Sequence, residues 1–542
     1  MKTDRREFIK YGLITSSVFF GGIYGIKQFK KYHKHTIGYT GQWVNQSDRG
    51  HQLREAFKLS PTASIKIPTL IVGGGMTGLL TGYYLKRAGF DNFKILEMSS
   101  SAGGNSSYGQ NEVSKFPWGA HYIPLPNAEN KQLLEFFKDM GLASSKSPDG
   151  GLEFNEEFLC QDPQERLFIK GEWQESILPM KGITKDDEDQ LKRFHDLVHE
   201  YKFKKGSDGK FVFNIPLMES SQDPMFLKLD DVSFADFLKE QGYTSNVVSW
   251  YMNYCTLDDF GMGIDTVSAW GGLHYFCSRR PLGQYDDHKI MTWPEGNGWV
   301  LQKLTEYLKD HIQPNHAVMR IHPTENGRVT SRIYNFDTKE LAECESEHLI
   351  YSGPQFLAPY LFEDKKNLPK VSSDDYYSWV IANVTVKLKP EEFQNLHWDN
   401  VRYQSSSLGY VHARHQELRG RFDGNTVLTL YWPLYDKNLT ATEIRKKVSG
   451  LGWDDWAPRV EAELEAMHPG MAVSIQSMDI KIYGHAMIGP RVGRMHSVFQ
   501  QPWKAQKNQN IYFAHTDNSG MSLFEEAHYW GHRVAQDVLK NG

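Results

Sequence analysis

Residues 70–105 read Leu70-Ile71-Val72-Gly73-Gly74-Gly75-Met76-Thr77-Gly78, then a helical stretch, then Lys94-Ile95-Leu96-Glu97, then Ser101-Ala102-Gly103-Gly104-Asn105. These are the parts of a dinucleotide-binding strand–helix–strand unit, in the right order. Leu70, Ile71 and Val72 form a short apolar run suited to a buried parallel strand. Gly73, Gly75 and Gly78 give G-x-G-x-x-G. The first glycine permits the tight turn, the second lets the backbone approach a pyrophosphate, and the third lets helix and strand pack closely. Leu79, Leu80, Tyr83, Tyr84 and Leu85 follow at helical spacing. A pyrophosphate belongs at the N-terminus of that helix, on free N–H groups and the positive dipole end. Glu97 ends the next apolar run, Phe93 to Leu96, about 20 residues past the glycines, where an acid hydrogen-bonds a ribose hydroxyl. An acid there disfavours the 2′-phosphate of NADP, which leaves NAD and FAD.

Two segments that follow carry a family resemblance. Gly103-Gly104-Asn105 and Trp118-Gly119-Ala120-His121-Tyr122 resemble the flavin-containing amine oxidase superfamily, which includes monoamine and polyamine oxidases and phytoene-desaturase-like enzymes. The resemblance implies FAD, with Gly103 and Gly104 beside the ribose acid and the Gly119-Ala120 pair against the isoalloxazine ring. Asn105 stands where the family has an arginine. Ile511-Tyr512-Phe513-Ala514-His515-Thr516-Asp517 resembles the family's C-terminal strand end, which implies that Asp517 contacts the ribityl-phosphate part of FAD. The next helix begins near Leu523, and its Phe524-Glu525-Glu526-Ala527 is similar to the family's Met-Glu-Gly-Ala. A helix N-terminus at the flavin N1–C2=O edge stabilises the charge of reduced flavin; Ser519 and Ser522 equally suit an N-cap. A third segment runs from Trp293-Pro294-Glu295-Gly296-Asn297-Gly298-Trp299 through a helix, Leu301 to Leu308, to a strand at His316–Ile321 and on to Ser352-Gly353-Pro354. It looks like the family's second FAD segment, which implies that Val318 passes the adenine.

At 542 residues the chain can build two domains with sizeable cores. Its net charge of −5 gives no case for nucleic acid. At the N-terminus, Asp4-Arg5-Arg6-Glu7-Phe8-Ile9-Lys10 resembles the twin-arginine export motif. The apolar run Tyr11 to Ile26 then reads as an h-region, followed by Lys27, Lys30, Lys31 and Lys34. The expectation is export by the twin-arginine machinery to the periplasm or the outer face of the cytoplasmic membrane. With no clear A-x-A site, the h-region also suits an uncleaved inner-membrane anchor. Cys160, Cys255, Cys277 and Cys344 form no metal spacing, and no metal is expected. Monoamine oxidases hold FAD through a cysteine of the C-terminal half; none lies beyond Cys344, so the resemblance implies non-covalent FAD.

The inserts between these segments hold a charged helical stretch, Lys185 to Lys205, and a helix that Ser233 can cap, Phe234 to Gln241. Trp379 to Leu388 and Thr426 to Trp432 read as strands. Asp230-Asp231 and Asp258-Asp259 are acidic doublets that suit either solvent or a cationic substrate. Many amine oxidases place a lysine, linked through water to flavin N5, soon after the strand-end proline. The matching position, counted from Pro354, is Tyr360, with Lys365 and Lys366 further on. Histidines recur in the flavin-adjacent motifs: His121, His485 and His515, the last where the family has glycine. Imidazole titrates near neutrality and can exchange protons with a substrate as hydride leaves, with a pH limb at about 6.5. Structural, hydrogen-bonded histidines are the alternative.

The fold expected is α/β: a Rossmann-like FAD-binding domain assembled from residues 65–125, 290–356 and 478–542, with an inserted α+β substrate domain from 126–289 and 357–477. Residues 1–35 are the signal or anchor and 36–64 a linker. The function expected is FAD-dependent oxidation of a small-molecule substrate, an amine or polyamine, by hydride transfer to flavin N5. The alternatives are a desaturase- or isomerase-like enzyme on an apolar substrate and a membrane-tethered FAD redox partner.

Overall fold

The computed structural model describes residues 38–44, 47–144, 152–366, 368–417, 424–500 and 510–541. The export segment, residues 1–35, lies outside these. Four helices matter most for the site: α1 (Met76–Arg87), α2 (Asn246–Phe260), α3 (Trp453–Met467) and α4 (Phe524–Asn541).

Two sheets organise the chain. The first has five parallel strands in the spatial order Ile312–Gln313, Phe93–Leu96, Thr69–Val72, His348–Tyr351, Ile511–Phe513. Its strands come from all three segments expected to build the dinucleotide domain. The central Thr69–Val72 is buried at every residue, as a parallel strand covered on both faces must be. α1 follows it with Thr77 to Leu85 all buried. α4 packs against α1 so closely that a Cβ on Gly531 would lie 2.8 Å from the Leu80 Cβ.

The second sheet has eight strands, in the order Trp43–Val44, Ile475–Ile488, Tyr376–Lys387, Asn425–Leu434, Tyr410–His412, Asp399–Arg402, Glu165–Ile169, Glu172–Glu175. Side chains alternate across it. Val380, Ala382, Val384 and Val386 join Trp456, Val460 and Leu464 of α3 in one core. Trp379 and Ile381 face the other way, into a core with Trp118, Tyr254 and Tyr431. The sheet is therefore backed by α3 and turns its other face toward α2 and the dinucleotide domain. The expected Ser233 cap is present, its hydroxyl accepting the Asp236 N–H at 3.0 Å.

Two boundaries differ from expectation. Residues 36–64 are no tether where described. Trp43–Val44 pairs in parallel with Ile480 and Lys481, and Ala63–Lys66 pairs with Ala342–Glu345. Both strands fill open sheet edges, which a local reading of composition does not show. The third dinucleotide segment also begins later than residue 478, because Ile475–Ile488 is one continuous strand of the eight-stranded sheet. The four cysteines are buried and unpaired. Among the described residues no helix is long and apolar enough to cross a membrane, and no cluster suits a metal ion.

Candidate active site

The glycine loops converge at the N-terminus of α1. Gly73 turns with φ +107°, and a Cβ there would crowd the Ser352 carbonyl. A Cβ on Gly78 would sit 2.1 Å from the Gly73 oxygen, whereas one on Gly75 would meet nothing within 4 Å. Gly75 is the N-cap of α1, and no side chain caps the helix. Its first N–H groups thus border open space, which is the cradle a phosphate needs. Gly103 donates its N–H to the Gly74 carbonyl at 2.8 Å, which brings the Gly103-Gly104 turn onto the same loop. Glu97 accepts the Gly74 N–H at 2.8 Å on one oxygen and the Ser99 N–H at 2.7 Å on the other. Each oxygen keeps a lone pair for a ribose hydroxyl. His316 donates its N–H to the Glu97 carbonyl at 2.9 Å, so the strand of Val318 starts beside the ribose acid. Val318 itself is buried with Leu70, Val72 and Leu96.

The Gly119-Ala120 loop is locked from two sides. Ala120 donates its N–H to the Asn105 carbonyl at 2.9 Å. Tyr431 reaches from the eight-stranded sheet to donate its hydroxyl to the Gly119 carbonyl at 2.8 Å. Below this loop lies Lys481, buried, with Nζ donating to Ser107 Oγ at 3.1 Å. Nζ also lies 4.4 Å from the Tyr483 ring centroid. Among the described residues no carboxylate acts on it, and burial pulls its pKa down to about 8. Tyr360, where the resemblance looks for a lysine, is 76% exposed.

Beyond Ala120 a polar cluster lines the interior. Asp258 is deep in the protein yet not fully covered. Burial raises its pKa to about 7, the Asp259 charge adds to this, and a hydrogen bond with Tyr122 opposes it. Asp259 is raised to about 6 by burial, with Arg279 opposing. Arg279 itself donates Nε and Nη2 to Glu525 Oε1 at 3.1 and 2.9 Å. Arg279 is therefore held by Glu525 and Asp259, and among the described residues no cation acts on Asp258. One turn back along α2, Tyr254 donates its hydroxyl to Asp399 at 3.4 Å. The other doublet is structural: Asp230 accepts the Met495 and His496 N–H groups at 2.7 and 3.1 Å.

The three histidines separate into two places. His121 packs against Tyr431 and Trp398, with ring centroids 4.5 and 5.6 Å away. Burial lowers its pKa to about 3, opposed by a bond to the Gly119 carbonyl. His485 stacks on Phe356 at 4.4 Å and is lowered to about 4, again by burial first. In both, burial disfavours the charged imidazolium. His515 lies with Nδ1 3.0 Å from Asp517 Oδ1. Asp517 is buried, and its other oxygen accepts the Gln355 N–H at 2.8 Å and the Tyr376 hydroxyl. Oδ1 is buried and accepts no hydrogen bond among the described residues, so it keeps lone pairs for a cofactor hydroxyl. Asp258 is legible in sequence only as half of the doublet Asp258-Asp259, and its pairing with Tyr122, like Tyr431 and Lys481, is not. Of the last two, Lys481 left a signal, as a lysine between Ile480 and Ile482 in a strand.

Comparison with known proteins agrees with this geometry. Residues 71–140 match the family model of the NAD(P)-binding Rossmann-like domain. No curated protein matches the sequence. Among solved structures, a putrescine oxidase bound to putrescine is similar with TM-score 0.63 at 13% identity, over 88% of this chain and 100% of that one. The chain has the amine oxidase fold. Cyclohexylamine oxidase from Brevibacterium oxydans IH-35A shares it at TM-score 0.60 and 13% identity, over 88% of this chain and 99% of that one. A fatty acid isomerase from P. acnes shares it at TM-score 0.57 and 16% identity, over 88% and 99%. The amine oxidase fold thus carries more than one chemistry, and the activity has to be argued from the site.

Proposed function

We propose that this chain is an FAD-dependent oxidoreductase that oxidises an amine at the carbon beside its nitrogen. The cradle supports FAD: an uncapped helix N-terminus at Gly75, open space where a Cβ would stand, and free lone pairs on Glu97. Non-covalent attachment follows from four cysteines that are buried and lie outside this cradle. Bound FAD supplies the acceptor for hydride. The protein supplies orientation, exclusion of water and proton handling.

One observation carries the amine: Asp258 is an interior carboxylate with no cation acting on it, hydrogen-bonded to Tyr122 next to the Gly119-Ala120 loop. An ammonium group satisfies that charge, and the Tyr122 and Tyr254 rings offer π faces to a cation. An apolar substrate would leave the carboxylate buried and unpaired, which is costly. A carboxyl that titrates near neutrality can also take a proton from the bound ammonium and hold it during oxidation. Lys481, neutral above about pH 8, can exchange a proton on the Ser107 side. Putrescine oxidase and cyclohexylamine oxidase, which share the fold, are named for amines. Arg5-Arg6 and the apolar run after them support export by the twin-arginine route, with the run retained as an anchor.

The test is anaerobic titration of the flavin-loaded protein. Amines should bleach the flavin, and Asp258→Asn should raise the concentration required. Bleaching by apolar alkenes and not by amines would overturn the proposal.

A further inference from the structure

The eight-stranded sheet carries a second cleft, of about 660 Å³, between the strands Glu165–Ile169 and Glu172–Glu175 and the end of α3. That is room for a small organic ligand. Strand alternation sets which side it is on. Leu167 and Ile169 point into the core shared with Trp118 and Tyr254. Arg166 and Phe168 alternate with them, so they line the cleft on the opposite face, away from Asp258. Its apolar wall is Phe168, Leu388, Leu396, Met467 and Met471.

Arg166 is the unusual member. Only 5% of it is exposed. Its Nε donates to Asn400 Oδ1 at 2.6 Å, and its guanidinium lies 3.8 Å from the Trp173 ring centroid. Its Nη2 is buried with no hydrogen-bond partner. The Tyr410 hydroxyl hydrogen-bonds to the guanidinium and acts on its charge, and among the described residues no carboxylate does so. His397, His412 and His468 feel the Arg166 charge, and none of them neutralises it. The neighbouring strand shows the contrast. There Arg402 meets Glu463 through Nε at 3.0 Å and Nη2 at 2.5 Å. An interior guanidinium without an acid is expensive to keep, and its planar donors match a carboxylate. Glu175 and Glu392 also line the cleft but are exposed at its rim, where solvent screens them.

We propose that this cleft binds a small monocarboxylate with an apolar body, its carboxylate on Arg166 and its body along Leu388, Leu396, Met467 and Met471. The site is independent of the oxidation chemistry proposed above. Isothermal titration of the full-length, flavin-loaded protein with octanoate and 1-octanol tests it. Octanoate should bind at one site, about tenfold or more tighter than 1-octanol, without changing the flavin spectrum. Arg166→Gln should lower octanoate affinity by about tenfold or more and leave 1-octanol unchanged. Because Arg166 is buried, a second variant guards against misfolding: Asn395→Trp, at the exposed rim, fills the cleft and should weaken octanoate equally. Equal binding of octanoate and 1-octanol, no octanoate binding at all, or full octanoate affinity in Asn395→Trp would each overturn the proposal.

Discussion

Gly75→Val and Gly78→Ala form a pair whose outcomes separate ligand binding from folding. Both change a glycine of the G-x-G-x-x-G motif, and the structure assigns them opposite consequences. Gly75 has φ −72° and ψ 177°, an extended conformation that valine adopts readily. A Cβ there meets nothing within 4 Å. The apoprotein should lose about 1 kcal/mol, the usual cost of a poor N-cap residue. In a chain this long that is a fall in Tm of about 2 °C or less. At Gly78 the added Cβ would lie 2.1 Å from the Gly73 oxygen and 3.3 Å from the Ser352 Cβ. Backbone atoms cannot rotate away, so α1 must shift from the strand it packs on. Overpacking of this kind costs about 1–3 kcal/mol or more. Flavin binding reverses the order of harm. Valine at position 75 fills the space a pyrophosphate needs, so Gly75→Val should purify colourless. It should also lose the stabilisation that saturating FAD gives, about 2.7 kcal/mol at a hundred times Kd. The assay is thermal unfolding of each protein with and without added FAD, alongside flavin absorbance after purification. Gly75→Val with a full complement of flavin would refute the cradle, as would an apoprotein that melts as early as Gly78→Ala.

Four further outcomes follow from the same geometry. Asp258→Asn should raise the KM for amines by about ten- to a hundredfold, the loss of one charge-assisted contact; the wild-type KM should fall as pH rises through about 7, where Asp258 ionises, and the variant should lack that limb. Lys481→Met should raise the Tm of the apoprotein below pH 8; the folded pKa of about 8 lies under the ordinary 10.5, so wild-type stability recovers between those values and the gain should vanish above them. Acid precipitation should leave a colourless pellet and a yellow supernatant, and a yellow pellet would show a covalent flavin. Arg5→Lys with Arg6→Lys should leave folded, flavin-loaded protein in the cytoplasm, as measured by cell fractionation.

The sequence by itself determined the dinucleotide half. Gly73, Gly75, Gly78 and Glu97 are legible because each requirement is local: a turn, a close backbone approach, a helix N-terminus and an acid at a strand end. The three-segment assembly was legible for the same reason, since each segment carries its own turn and strand signals. Only the tertiary structure decided the rest. Trp43–Val44 looked like part of a tether until it paired with Ile480 and Lys481, more than 400 positions away. Histidine motifs pointed to proton transfer, but burial keeps His121 and His485 neutral. Asp258 was one of several acidic doublets until α2 set it beside Tyr122 without a cation. Arg166 and Arg402 sit on neighbouring strands, and the packing of α3 on the sheet gives only Arg402 a glutamate, Glu463. Whether a charge is paired depends on which elements become neighbours. That is fixed by the register of elements distant in the chain, and no local window of sequence contains it.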